Sequence, residues 1–168
     1  ARVREFVQRY REACPDHLQP PACRVTIEQD VPSHSGLGSG TQLGLAVARA
    51  LSELAGERNI SIHDLARRVG RGRRSAVGIY GFDGGGLIVD AGQLPTEDLG
   101  ALSCRISLPD RWRALLIMPH GGNPGLSGAG EDSAFRTLGS MSSALTDRLC
   151  RLVVMELLPA VQSGSFAE

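Results

Sequence analysis

The sequence predicts an α+β fold, and three observations carry that expectation. Apolar residues recur at helical spacing near the start, in the middle and toward the end of the chain. Short stretches alternate apolar and polar side chains as half-buried strands do, and glycines cluster where one kind of element hands over to the other. With 168 residues and 42% hydrophobic content, the chain is long enough for one domain with a real core.

In residues 2–13, Val3, Phe6, Val7 and Tyr10 mark a helix that buries one stripe, ended by Pro15, Pro20 and Pro21. Residues 23–31 alternate Cys23, Val25 and Ile27 with Arg24, Thr26 and Glu28, the pattern of a strand. Residues 42–56 form an apolar helix with Leu43, Leu45, Val47, Ala48, Leu51 and Leu54, and Gly56 is placed to stop it. A second helix covers 61–69, with Ser61 as N-cap and Asp64 in its first turn. Arg67, Arg68, Arg71, Arg73 and Arg74 follow closely. Arg67 and Arg68 read as a solvated charge face, whereas Gly70, Gly72 and the apolar Ala76-Val77 make 71–74 a loop turning back into the fold.

A glycine turn around Asp83 then leads to a short strand at 87–89. Further strands are expected at 102–108 and 112–118, with Pro109-Asp110 as a hairpin signal. Residues 119–130 hold five glycines, and a loop of that length and composition is a place for function. Residues 142–161 return to helical spacing, with Pro159 near the end.

Charge and composition remove several function classes. A net charge of zero argues against a general nucleic-acid or membrane binder. All eighteen basic side chains are arginine, so no lysine is present for a P-loop, a Schiff base or a pyridoxal phosphate anchor. Cys14, Cys23, Cys104 and Cys150 lie too far apart for a Cys-x-x-Cys pair, and His17, His34, His63 and His120 are scattered, which offers no zinc site. Reduced thiols and the absence of a long apolar run or a basic leader fit a soluble, cytoplasmic protein. The chain begins at Ala1 rather than at a methionine, and the expectation is a portion of a longer chain.

The densest chemical signal is Val31-Pro-Ser-His-Ser-Gly-Leu-Gly-Ser-Gly-Thr-Gln-Leu, where Gly36, Gly38 and Gly40 occupy alternate positions between a strand and a helix. Glycine lets a ligand approach the main chain, and a helix that follows turns unpaired N–H groups toward it. Together they make a cradle for anions; a flexible surface turn is the alternative. Gly36, Gly38, Ser39, Gly40, Thr41 and Gln42 are therefore the candidate phosphate-binding residues.

Pro32-Ser-His-Ser-Gly-Leu-Gly-Ser-Gly-Thr-Gln resembles the second motif of the galactokinase, homoserine kinase, mevalonate kinase and phosphomevalonate kinase (GHMP) superfamily. Its Gly-Thr-Gln ending, with Gly70-Arg-Gly-Arg-Arg-Ser-Ala-Val-Gly-Ile-Tyr-Gly-Phe-Asp-Gly-Gly-Gly and Gly125-Leu-Ser-Gly with Glu131, is similar to the beta-ribofuranosylaminobenzene 5′-phosphate synthase family. The resemblance implies an incomplete portion of a GHMP-kinase-like (ribosomal protein S5 domain 2-like) fold, in which 1–119 hold the glycine loop and 120–168 begin a helical part. It implies condensation of phosphoribosyl pyrophosphate with 4-aminobenzoate or 4-hydroxybenzoate, releasing CO2 and pyrophosphate, in tetrahydromethanopterin biosynthesis.

Kinases of the superfamily carry an aspartate where this chain has Arg74, and an always protonated arginine suits phosphate recognition rather than base catalysis. The resemblance implies Arg74 and Asp83 as catalytic groups. Arg71, Arg73 and Ser75 join the loop as substrate-binding residues, and Mg²⁺ arrives with phosphoribosyl pyrophosphate. Asp83 would stabilise the ribose cation or hold the ion; a plain turn residue is its other reading. The expected partner is a small phosphorylated substrate, without nucleic acid or membrane, and a homodimer is left open. An ATP-dependent kinase and a non-catalytic binding module of the same fold are the rival readings.

Overall fold

The computed structural model describes residues 1–29, 31–32, 36–118 and 129–165, without the side chains of Ala129 and Asp132. Expectations that fall on Asp30, on 33–35 and on most of the glycine-rich stretch, 119–128, lie outside the described residues. The chain divides into two compact units, Ala1–Arg105 and Ile106–Glu168.

The first unit opens with α1, Arg2–Ala13, as its spacing predicts, followed by a short 3₁₀ turn at Asp16–Leu18. The glycine loop passes into α2, Ser39–Leu54, three residues earlier than the apolar pattern alone suggests, because small residues fill its first turn. Helix α3 spans Ile62–Arg68, and Ser61 caps it as expected: its Oγ accepts the Asp64 N–H at 3.1 Å and donates to the Asp64 carboxylate at 2.8 Å. Helix α4, Val77–Gly84, is followed by a two-stranded sheet of β1, Leu87–Asp90, and β2, Leu102–Ile106.

Phe6, Tyr10, Leu45, Ala48, Leu51, Leu65, Val69 and Ile79 bury the facing stripes of the four helices in one core. Gly44 lets α1 and α2 close up, since a Cβ there would stand 3.2 Å from the Phe6 ring. Two helices end on glycine at positive φ, where an L side chain would be strained: Gly56 at 81° and Gly70 at 64°. Each closes a pair of C-terminal hydrogen bonds, Glu57 N–H to Ser52 O at 2.8 Å and Arg71 N–H to Ala66 O at 2.8 Å being the longer-range member. These turns set the starting points of Glu57 and Arg71.

Four expectations are corrected here. Residues 23–29 do not form a strand; Val25 and Ile27 are 44% and 45% exposed, and among the described residues no strand lies beside the segment to complete a ladder. Residues 112–118 fail for the same reason, leaving Leu115 and Ile117 exposed at 85% and 81%. Asp83 lies in the last turn of α4 rather than in a glycine turn, because the buried Ile79 and Tyr80 draw that segment onto the core as a helix.

Arg68, read as solvated, is the fourth: only 5% exposed, it donates to both Glu57 carboxylate oxygens, at 2.5 and 2.9 Å, and to Tyr10 Oη at 2.8 Å. Burial is the largest influence on this guanidinium and works against the charge. The Glu57 and Tyr10 contacts outweigh it and hold the pKa above its ordinary value. Arg67 does stay exposed and pairs with Asp64 at 3.0 Å.

In the second unit, α5 covers Ala129–Thr137, and Ser142 caps α6, Ser143–Leu152. The helix then widens to a π-helical stretch at Val153–Leu157 before α7, Leu158–Ser163. Pro159 explains the widening, since it brings no N–H for the carbonyl one turn back and its ring crowds that carbonyl.

Replacing Glu57 with Leu should leave the Arg68 charge buried without its carboxylate and cost about 3 kcal/mol of unfolding free energy, measured by urea denaturation. Glu57→Leu combined with Arg68→Met should recover much of that loss.

Candidate functional site

The glycine stretch expected to cradle phosphate runs into an uncapped helix end. Gly36 and Gly38 take positive φ, 76° and 69°, and Gly38 is the N-cap of α2. Its carbonyl accepts the N–H groups of Thr41 at 2.9 Å and Gln42 at 3.0 Å. The Ser39 and Gly40 N–H groups have no acceptor among the described residues, no side chain caps the end, and no acid lies in the first turn. Among the described residues no side chain answers the positive pole of this sixteen-residue helix, the kind of end at which anions are stabilised.

Two arginines close over this end. A Cβ on Gly40 would stand 2.8 Å from an Arg2 guanidinium nitrogen and 3.4 Å from one of Arg71. Arg71 stacks on the buried Phe6 ring, 4.8 Å from its centroid, and its Nε is buried with no hydrogen-bond partner among the described residues. Burial, and then the neighbouring Arg2 and Arg9 guanidiniums, hold its pKa below the ordinary value. Glu5, which forms an ion pair with Arg9 at 2.7 Å, opposes that shift, and the charge of Arg74 adds to it. Cations gathered at the positive end of a helix repel one another, and an anion seated among them relieves that repulsion.

The other candidates divide into two groups. Thr41 and Gln42 face α4: a Cβ on Gly78 would stand 3.3 Å from Thr41 Cγ2, and Gln42 Nε2 donates to the Gly78 carbonyl at 3.0 Å. They lock α2 to α4 rather than line the open end. Ser75 Oγ donates to Asp90 at 3.0 Å, and the Ala76 N–H donates to the same oxygen at 3.0 Å. Asp90, at the end of β1, therefore caps α4 and fixes the loop that carries Arg71, Arg73 and Arg74. Arg73 and Arg74 are exposed. Asp83 accepts from Arg105 at 3.2 Å, and the same guanidinium donates to the Tyr80 carbonyl at 2.9 Å, tying β2 to α4.

Sequence reasoning missed Arg2 and Asp90. Arg2 lies one helical turn before Phe6, in phase with the buried stripe of α1, and that phase was the available signal. Asp90 carried none as a cap, because Ser75 and Ala76, the groups it holds on α4, are fifteen and fourteen residues back in sequence.

Burial is the largest influence on the Asp90 carboxyl and raises its pKa. The bonds from the Gly92 N–H, Ser75 Oγ and the Ala76 and Val77 N–H groups together outweigh it and hold the pKa below 3.8. A depressed carboxyl contributes stability above its unfolded pKa and loses it as pH falls through the folded one. Asp90→Asn should therefore flatten the fall in stability below about pH 4, read from urea midpoints across pH; an unaltered acid limb would contradict the cap.

Residues 1–86 match the GHMP kinases N terminal domain family. The chain is 34% identical over 151 residues to Beta-ribofuranosylphenol 5′-phosphate synthase of Methanothermobacter thermautotrophicus, covering 83% of this chain and 45% of that protein. It is 34% identical over 156 residues to the protein of that name from Archaeoglobus fulgidus, covering 86% and 49%. For the one from Methanocaldococcus jannaschii the figures are 31% over 144 residues, covering 77% and 43%. The chain spans about half the length of these curated relatives. No solved structure matches it. The likeness read from the glycine loop and the arginine segment is thus met by relatives of that kind, and the chain belongs to the GHMP kinase family, which it matches through the N-terminal domain.

Proposed function

We propose that this chain carries the phosphate-binding part of a pentosyltransferase that condenses phosphoribosyl pyrophosphate with 4-hydroxybenzoate or 4-aminobenzoate, releasing CO2 and pyrophosphate, on the route to tetrahydromethanopterin. The observation that supports it most is the open first turn of α2 with Arg2 and Arg71 closed over Gly40. The relatives are named for a ribofuranosylphenol phosphate, which favours 4-hydroxybenzoate as the acceptor.

In this reaction the ring carbon bearing the carboxylate bonds to C1 of the ribose as the bond from C1 to pyrophosphate oxygen breaks. The carbon–carboxylate bond then breaks, CO2 leaves, and its electron pair restores the aromatic ring. Negative charge grows on pyrophosphate as it departs, so N–H groups and guanidiniums fixed in advance stabilise the transition state. Ser39, Gly40, Arg2 and Arg71 fill that role, with Arg73 and Arg74 as exposed cations on the same loop. Mg²⁺ arrives with phosphoribosyl pyrophosphate and neutralises part of its charge. No three of His, Cys, Asp or Glu gather into a metal site among the described residues, so no protein ligand is assigned to the ion. Asp83 holds Arg105 in this proposal rather than the substrate.

A kinase would need a base where Arg74 stands. Calorimetry with Mg²⁺ should therefore show phosphoribosyl pyrophosphate binding that ATP does not match, and equal or tighter ATP binding would favour the kinase. Arg71→Gln should weaken phosphoribosyl pyrophosphate binding about tenfold to a hundredfold, the scale of one lost charge-assisted contact, with Arg74→Ala weakening it less. Unchanged affinity in both would remove the arginines from the site.

With 4-hydroxybenzoate added, CO2 and pyrophosphate should appear in equal amounts. Failure with both benzoates, in a protein that binds phosphoribosyl pyrophosphate, would sink the synthase assignment.

A further inference from the structure

Residues 22–29 leave their main chain unanswered. None of their N–H or C=O groups has a main-chain partner among the described residues, all eight residues are exposed, and the chain bends only at Glu28. Extended backbone with open donors and acceptors along its edge is a template for another strand. The side chains also divide by parity. Cys23 and Val25 border a groove of about 660 Å³ on α1, with Val3 and Val7 in the same lining, and Arg24, Thr26 and Glu28 alternate with them. Among the described residues the first unit offers no strand to complete the edge, because β1 and β2 pair with each other.

The segment is, however, a match for itself. Laid antiparallel against a second copy about a two-fold axis at Thr26, it sets Arg24 opposite the partner's Glu28, and Glu28 opposite the partner's Arg24. Val25 then meets the partner's Ile27, Ile27 meets the partner's Val25, and the two Thr26 residues face each other. Opposite charges, aliphatic pairs and threonine pairs are each stabilising across strands. Neighbouring registers lose the match. Centred on Val25, the pairing sets Arg24 against Thr26 and Glu28 against Ala22; centred on Ile27, it sets Val25 against Gln29 and carries the ladder past the bend at Glu28.

We propose that residues 24–28 are a docking edge for a second copy of this chain, so that the absent strand pair is completed between protomers. The apolar side of the ladder, Val25 beside the partner's Ile27, lies toward the α1 groove, and the Arg24–Glu28 pairs on the other side fix the register. The proposal stands apart from the synthase reading, since it uses none of the residues assigned to phosphate.

Sedimentation velocity of the 168-residue chain over about 1 to 300 µM should show a monomer–dimer equilibrium that follows mass action. Hydrogen exchange at 23–28 should slow in the concentrated protein relative to the dilute one. Arg24→Glu and Glu28→Arg, each of which sets like charges opposite one another twice, should each raise the dimer dissociation constant about tenfold or more. Mixed in equal amounts, the two variants should pair with each other about as well as the wild type pairs with itself, because every opposed pair again carries opposite signs. Both positions are exposed, and circular dichroism checks that the fold is kept; the wild-type exchange map decides the matter even if a variant fails to fold. A monomer throughout the range, a dimer protected elsewhere and not at 23–28, or charge variants that dimerise as the wild type does and gain nothing on mixing would overturn the proposal.

Discussion

Helix α2 is packed on three sides, by α1, α3 and α4, and that packing is the constraint on which the site depends. Leu45, Ala48 and Leu51 are buried to 1% exposure or less, so a tilt or slide of the helix would open voids in a close-packed core. Gly44 admits the Phe6 ring, and Phe6 in turn offers its face to Arg71. Gln42 and Thr41 hold α4 against the same helix. The first turn is fixed by contacts behind it while its Ser39 and Gly40 N–H groups have no acceptor among the described residues, an arrangement that suits preorganised anion recognition. Loops of many sequences can bend around phosphate.

Two arginines three positions apart show how differently the same side chain is used. Arg68 is enclosed by Glu57 and Tyr10, so its charge is answered inside the protein. Arg71 meets an aromatic face and other guanidiniums, and its charge is answered only weakly, by the more distant Glu5. The turn at Gly70 separates them: it ends α3 just after Arg68 and redirects the chain so that Arg71 crosses to α1 and α2. The first arginine is satisfied by side chains of the core, and the second keeps a buried Nε with no hydrogen-bond partner among the described residues.

What was legible in the sequence was whatever local chemistry decides. The stripe of α1, the cap at Ser61, the stop at Gly56 and the passage from the glycines at 36–40 into α2 each depend on residues within a few positions of one another, and each is present. Strands at 23–31 and 112–118 have the right alternation, yet a strand is completed only by a partner, and alternation cannot supply one. Asp83 was misplaced because three glycines after it outweighed the pull of Ile79 and Tyr80 toward the core. Arg2 escaped notice because its place beside Gly40 comes from α2, far away in sequence.

The central claim is that the open end of α2 receives a phosphate group of an activated ribose. A crystal structure of the chain soaked with Mg²⁺ and phosphoribosyl pyrophosphate tests it most directly. The account predicts phosphate oxygens within hydrogen-bonding distance of the Ser39 and Gly40 N–H groups, with the Arg2 and Arg71 guanidiniums on the same group. A fully occupied ligand whose phosphates lie away from α2, with those two N–H groups bound only to water, would contradict it.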